Sequence, residues 1–367
     1  MACIPQSEAI SAKMDLLLFM ENRQRLTQYS KGSGCGCKIQ PALLGDLLSG
    51  VRASKQQYPQ ILVGNLQNDD ASVYDLGNGM CLLQTVDFFT PMVDDAEVFG
   101  KASAANALSD IYAMGGRPIM ANAVLGWPID EIDIEIAKQV LRGGLICCEG
   151  VSVPLVGGHS IDSRDPIYGL SVTGLVKKSK LRTNAMAQAG DWIAITKPLG
   201  IGMLSAAHKR GLADASQNEA LYKIVTQVNT VGAHLADIEG VHAMTDVTGF
   251  GLLGHLLEVL RASELAAQID GESIPKIEEA KTLAAQFILP DNAMRNWNAY
   301  ESQVQQVHTD SFAWMVDPQT NGGLLFTFSE ASRGEIETLM REQNQEFWVI
   351  GRTELWDAES PVRVRVL

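Results

Sequence analysis

The chain has 367 residues, 46% hydrophobic and 20% charged, enough to bury a large core and long enough for two domains. Its formal charge of −14, from 29 Lys and Arg against 43 Asp and Glu, opposes a nucleic-acid groove or an anionic membrane surface as partner. The apolar run at 16–20 is too short to span a bilayer and lacks the flanks of a signal peptide, and six cysteines without a CxxC pair suit free thiols in a reducing compartment, so a cytoplasmic location is expected.

Residues 1–24 stand apart in composition and read as a leader of low structure. Residues 25–42 carry Gly32, Gly34 and Gly36 alternating with Ser33, Cys35 and Cys37, closed by Lys38. Alternating glycines suit neither helix nor strand, and an ammonium group favours a neighbouring thiolate, so this stretch is expected to be a mobile arm delivering a reactive thiol and a cation. The competing reading is an inert, disordered leader. Strands are then predicted at 61–64, 72–74, 80–86, 120–125, 153–156 and 168–172, each bounded by Gly, Asp, Asn or Pro. A helix at 96–114 begins after Asp94 and Asp95 and stops at Gly115 and Gly116, and a second is expected at 131–149. The basic, irregular stretch at 177–190 marks the boundary between domains placed at 43–182 and 183–367. Beyond it come a strand at 191–196, helices at 217–238 and 249–262, and strands at 265–269, 313–316, 323–328 and 347–351, so both domains are mixed α and β.

Four acidic sites recur at the edges of apolar segments: Asn68-Asp69-Asp70, Asp87, Asp110 and Asp246. Strand ends are where ligand groups gather, although for any one aspartate a turn or an N-cap is the competing reading. Asp110 is harder to explain that way, because Ser103, Asn106 and Asp110 form a narrow polar stripe at i, i+3 and i+7 on an otherwise Ala-rich helix. A carboxylate packed there needs a partner or a metal, and scattered hard oxygen ligands suit Mg²⁺ bridging carboxylates to phosphates. Two loops are candidate phosphate cradles: Gly157 to Asp162, which offers Gly158, His159 and Ser160, and Thr196 to Gly202. His159 fits a structural hydrogen bond as readily as a ligand contact. His208, His234, His242, His255 and His308 show no ligand spacing, and neither a Walker A loop nor a GxGxxG fingerprint is present.

Taken in order, Gly34-Cys-Gly-Cys-Lys38, Asn68-Asp-Asp70, Thr85-Val-Asp-Phe-Phe89, Asn106 to Gly116, Leu125-Gly-Trp-Pro128, Gly157-Gly-His-Ser160, Thr196-Lys-Pro-Leu-Gly200, Met244 to Gly251 and Asp317-Pro-Gln-Thr320 resemble the selenophosphate synthetase (selenide, water dikinase) family. The resemblance runs from about residue 25 to the C-terminus. It implies an α+β fold of two mixed domains of the aminoimidazole ribonucleotide synthetase-like type, with N-terminal strands pairing into a barrel across a homodimer. It also implies conversion of ATP, selenide and water to selenophosphate, AMP and phosphate, without nucleic acid or membrane. Carried over by motif, Cys35 is catalytic with Lys38 as its essential partner. Asp70, Asp110 and Asp246 resemble the Mg²⁺ ligands, and a monovalent cation such as K⁺ is a further cofactor to expect. Lys38, Gln67, Asn68, Asp69, Asp87, Asp110, Gly158, His159 and Ser160 resemble ATP contacts, and the arm is expected to reach the partner subunit's site. Lys31 stands where a histidine is common in the family, and Asn321 where a serine is usual. The rivals are another ATP-using member of the superfamily, such as a thiamine monophosphate kinase-like enzyme, and a non-enzymatic selenium or metal carrier using Cys35 and Cys37.

Overall fold

The computed structural model describes residues 25–30, 32–38, 47, 58–64, 68–305 and 309–367. The leader at 1–24 and Gln67 lie outside the described residues. Two mixed sheets organise the chain. The first has the order β1-β2-β3-β6-β4-β5, built from β1 (Ile61–Val63), β2 (Ser72–Asp75), β3 (Met80–Phe89), β4 (Arg117–Trp127), β5 (Leu155–Asp162) and β6 (Ile167–Lys177). All its pairings are antiparallel except β4 with β5.

Helices α1 (Ala96–Ala113) and α2 (Ile134–Gly150) cover one face. Asp95 caps α1 by accepting from the Val98 N–H, and Asp133 caps α2 by accepting from the Glu135 N–H. Their crossing depends on two glycines. A Cβ on Gly100 would meet the Val140 carbonyl oxygen at 1.9 Å, and one on Gly143 would meet that of Glu97 at 2.1 Å, so the backbones approach as only glycine allows. Fifteen of the eighteen α1 residues are buried, because the helix is enclosed by the first sheet, by α2 and by the second domain.

The second sheet has the order β10-β13-β9-β12-β7-β11-β8. Its strands are β7 (Trp192–Ile195), β8 (Val241–Asp246), β9 (Leu265–Ile269), β10 (Val304–Gln305), β11 (Leu324–Phe328), β12 (Trp348–Leu355) and β13 (Val364–Val366). Around it pack α3 (Ile201–Lys209), α4 (Ala215–Val225), α5 (Gly232–Leu235), α6 (Gly251–Ala262), α7 (Lys281–Ala285), α8 (Asp291–Tyr300), α9 (Thr309–Val316) and α10 (Arg333–Glu342). Edge strand β8 lies against α1, which brings Asp246 toward Asp110. No helix among the described residues is long and apolar enough to cross a membrane.

Four local expectations are corrected. Residues 313–316 belong to helix α9, since four apolar residues carry no periodicity of their own and here continue a turn begun at Thr309. The helix expected at 217–238 breaks after Val225, where Asn229 donates to Ser109 Oγ and to the Gly322 carbonyl, both at 2.8 Å. The glycine-rich segment after residue 156 is no loop: Gly157 to Asp162 continue β5, paired in parallel with Asn122 to Trp127. Finally, the Thr196–Gly202 turn does not present an open anion nest. Its Gly202 N–H donates to Asp317 Oδ2 at 3.0 Å, so the acceptor at the start of α3 is the chain's own side chain, whose pKa burial pushes up to about 8.

Candidate active site

Asp70 follows the Asn68 turn, Asp110 projects from α1 and Asp246 ends β8. Despite their separation in sequence, one carboxylate oxygen from each lies within 4.8 Å of the other two. Thr85 Oγ1 donates to Asp110 Oδ2 at 2.5 Å, and Thr245 Oγ1 donates to Asp70 Oδ1 at 2.9 Å. The remaining oxygens Asp70 Oδ2 and Asp246 Oδ2 are buried without a hydrogen-bond partner. Burial raises the pKa of all three, and mutual repulsion adds to it, with Asp246 acting on both Asp70 and Asp110. Buried carboxylates held this close are neutralised either by protonation, which their raised pKa values favour, or by a cation.

Two cationic and nucleophilic groups border the cluster. Lys38 Nζ lies 3.9 Å from Asp87 Oδ2 and donates to Thr248 Oγ1 at 3.5 Å. Burial opposes its charge, but Asp87, Cys35, Asp110 and Asp246 together outweigh that and hold its pKa above the ordinary lysine value. Cys35 is fully buried in a short 3₁₀ turn, Cys35–Cys37. Its N–H donates to Thr320 Oγ1 at 3.0 Å and its thiol to Asn106 Oδ1 at 3.2 Å. Two glycines make the seat. Gly34 has φ 53°, and a Cβ there would meet Thr320 Oγ1 at 2.3 Å, while a Cβ on Gly249 would meet the Cys35 carbonyl oxygen at 2.5 Å.

The described residues of the arm are anchored at several points. Arg25 Nε donates to Asp94 Oδ2 at 2.7 Å, and Thr27 donates to Asp94 Oδ1 from its backbone N–H at 3.0 Å and its hydroxyl at 2.7 Å. Lys209 Nζ donates to the carbonyls of Ser30 and Gly32 at 2.7 Å each, and Asn292 bonds the Gly36 carbonyl. Its outer side faces a cleft of about 490 Å³ lined by Ser33, Ser205, Lys209 and Asn292, which does not include Asp70, Asp110 or Asp246.

The other expected contacts divide. Asp87 Oδ2 accepts from Asn106 Nδ2 at 2.6 Å, beside the cluster. Asn68, at φ 53°, and Asp69 are gripped by the second domain. Asn184 Nδ2 donates to the Asn68 carbonyl at 3.1 Å, and the Asn184 N–H donates to Asp69 Oδ1 at 2.7 Å. Gly158, His159 and Ser160 are exposed on edge strand β5. Gly158 shares a cross-strand row with Asp87 through Ala123 and Leu170, a span of about 14 Å at ordinary strand spacing. The sequence reading passed over Thr248, Thr320, His255 and Glu258 as site residues. Only the His255/Glu258 spacing of i, i+3 on the helix after Gly251 signalled that two of them share a face.

Residues 68–176 match the family model "AIR synthase related protein, N-terminal domain", and residues 188–356 match the corresponding C-terminal domain. The chain is 48% identical over 301 residues to a selenide, water dikinase of Sulfurovum sp., covering 82% of this chain and 88% of that protein. It is 45% identical over 331 residues to proteins of the same name from Shigella flexneri and Escherichia coli K12, covering 90% of this chain and 95% of each. Among solved structures, a thiamine-monophosphate kinase from Stenotrophomonas maltophilia shares the fold at TM-score 0.62 and 21% identity, covering 87% of this chain and 95% of that one. The hydrogenase maturation protein HypE does so at TM-score 0.60 and 16% identity, covering 85% and 94%.

Proposed function

The chain belongs to the selenide, water dikinase family, and from that membership we propose that it converts ATP, selenide and water to selenophosphate, AMP and phosphate. The observation that carries the reading is the meeting of Asp70, Asp110 and Asp246 within 4.8 Å, beside Lys38 and Cys35. An oxygen-only donor set with two unpartnered buried oxygens fits a divalent ion such as Mg²⁺, which when bound neutralises charge on the phosphates. Lys38 supplies a cation on a glycine-rich arm toward the reacting phosphate, and Asp87, fixed by Asn106, orients that cation. Cys35 offers a soft sulfur next to it for selenide. Asn68 and Asp69 border the same site and are assigned to ATP, with Gly158, His159 and Ser160 further along the sheet.

A homodimer closing the first sheet into a barrel fits the exposed edge strand β5, where Val156 and Ile161 are 60% and 52% exposed, and the apolar Val86 and Phe88 on β3. The net charge of −14 opposes a nucleic-acid partner, and six cysteines without a CxxC pair suit a reducing compartment such as the cytoplasm.

The deciding experiment incubates the pure protein with ATP, Mg²⁺ and selenide under anaerobic reduction and follows phosphorus NMR. AMP, orthophosphate and a selenium-coupled phosphorus signal support the reading. ADP as the final product overturns it.

A further inference from the structure

Behind Lys38 runs a buried polar chain that the proposed reaction does not use. Lys38 Nζ donates to Thr248 Oγ1 at 3.5 Å, and Thr248 Oγ1 lies 3.1 Å from His255 Nε2. His255 Nδ1 lies 3.0 Å from Glu258 Oε2, off the line of an ideal hydrogen bond, and Glu258 Oε1 accepts from Asn68 Nδ2 at 3.1 Å. Thr248, His255 and Glu258 are 3%, 5% and 7% exposed, so this is an interior chain and not a solvated pair. The imidazole is also stacked on Phe250, centroid to centroid 5.6 Å with 27° between the planes.

The donor order has a direction. An ammonium group only donates, so Thr248 Oγ1 accepts from Lys38 and keeps its own proton; the Glu258 carboxylate 3.0 Å from His255 Nδ1 favours a proton on that nitrogen, which leaves Nε2 to accept from Thr248. An imidazole accepting at Nε2 carries its proton on Nδ1, the atom facing the Glu258 carboxylate. The other carboxylate oxygen holds Asn68, which sits at φ 53° beside Asp69 and Asp70. One turn of α6 therefore reaches both the arm lysine and the turn that carries a cluster aspartate.

We propose that His255 and Glu258 are positioning residues that set Lys38, through Thr248, and Asn68 against a common element, so that the two sides of the phosphate site are aligned together. The inference rests on the nucleotide-binding part of the function proposed above. It does not need the selenium chemistry.

The test is binding of a non-hydrolysable ATP analogue with Mg²⁺ to the full chain, measured by calorimetry, with thermal melts alongside. Loss of one hydrogen bond to a charged group predicts about tenfold weaker binding for His255→Ala. His255→Gln, whose amide oxygen can accept from Thr248, should recover most of it, and Thr248→Val should match His255→Ala. In a Lys38→Ala background, adding His255→Ala should weaken binding by clearly less than it does alone, because the group being positioned is gone. Independent, multiplying losses overturn the proposal, as do wild-type affinity in His255→Ala or no gain with glutamine. Should His255→Ala not fold, the Thr248→Val and His255→Gln affinities decide in the same way. A protein that binds the analogue but makes no selenophosphate would sink the reaction and leave this inference standing.

Discussion

Asn106 Oδ1 accepts from the Cys35 thiol at 3.2 Å, while Nδ2 of the same amide donates to Asp87 Oδ2 at 2.6 Å. Oδ1 also takes the Asn321 N–H at 2.7 Å, so one α1 side chain ties together the arm, the end of β3 and the loop before β11. Asn321 holds φ 51°, which an asparagine tolerates better than most residues.

Replacing Asn106 should therefore damage the site more than the fold. Asn106→Ala is expected to cost about 1–3 kcal/mol of stability and at least about tenfold in turnover. Asn106→Asp should be worse in turnover, because it sets a carboxylate against Asp87. Melts and steady-state AMP production measure both, and an aspartate variant as active as wild type would contradict the role.

The aspartate cluster predicts a metal-dependent stability with a definite sign. Folded pKa values of Asp70, Asp110 and Asp246 are raised, so the folded chain holds protons that the unfolded chain has released. The stability from this term is fully present below the ordinary carboxylate value of about 4 and is lost as pH rises through the folded values. With chelator present, the cluster should lower the melting temperature progressively as pH rises above the ordinary carboxylate value. Mg²⁺ should restore it mostly at the higher pH, where the ligands are ionised. Asp110→Asn should raise the chelated melting temperature and remove the Mg²⁺ effect; a Mg²⁺ response unchanged in this variant would refute the ligand assignment.

Much of this site was legible because its signals are local. Asp95 before α1, the glycine pair after it and the Ser103, Asn106, Asp110 stripe are all short-range, and β3 with Asp87 reads from its apolar run. What escaped is long-range. The pairing of Gly157 to Asp162 with β4 depends on partners 35 residues earlier, and a Gly158 Cβ would meet the Ala123 carbonyl oxygen at 2.2 Å, so its glycine signals close approach and not a loop. Asp317 filling the start of α3 depends on a partner 115 residues away, and no local pattern encodes it. The docking of the arm is of the same kind, because its anchors Asp94, Lys209 and Asn292 come from three other segments.

Those anchors predict the reactivity of Cys35. Burial alone would raise the Asp94 pKa, but the His208 ring 3.3 Å away and hydrogen bonds from Thr27 and Arg25 hold it well below the usual range, so the clamp persists as pH falls until that depressed value is reached. Asp94→Ala or Lys209→Met should loosen the arm and speed alkylation of the fully buried Cys35 by about tenfold or more, as read by peptide mass mapping. Cys147 and Cys148, whose thiols burial pushes up to about 12 and about 11, should stay unmodified and serve as internal controls. Alkylation of Cys35 at the wild-type rate in both variants would show that the clamp does not govern access.

The last prediction concerns which site the arm serves. The resemblance favoured an arm reaching the partner subunit, yet Lys38 here lies 3.9 Å from Asp87 of its own chain, and Cys35 is seated between its own Asn106 and Thr320. Lys209 and Asp94 hold the preceding residues to the same chain, so reaching across would break the anchors at Ser30 and Gly32. For the homodimer proposed above, mixing the Lys38→Ala variant with the Asp246→Ala variant under subunit exchange separates the two arrangements. If each arm serves its own chain, every site in the heterodimer keeps one lesion and the mixture stays inactive. If the arms cross, one of the two heterodimer sites escapes both lesions. Random exchange would then restore about a quarter of wild-type activity, since about half the dimers are mixed and each has one intact site of two. The geometry predicts no recovery, and recovery after exchange verified by mass spectrometry would assign the arm to the partner.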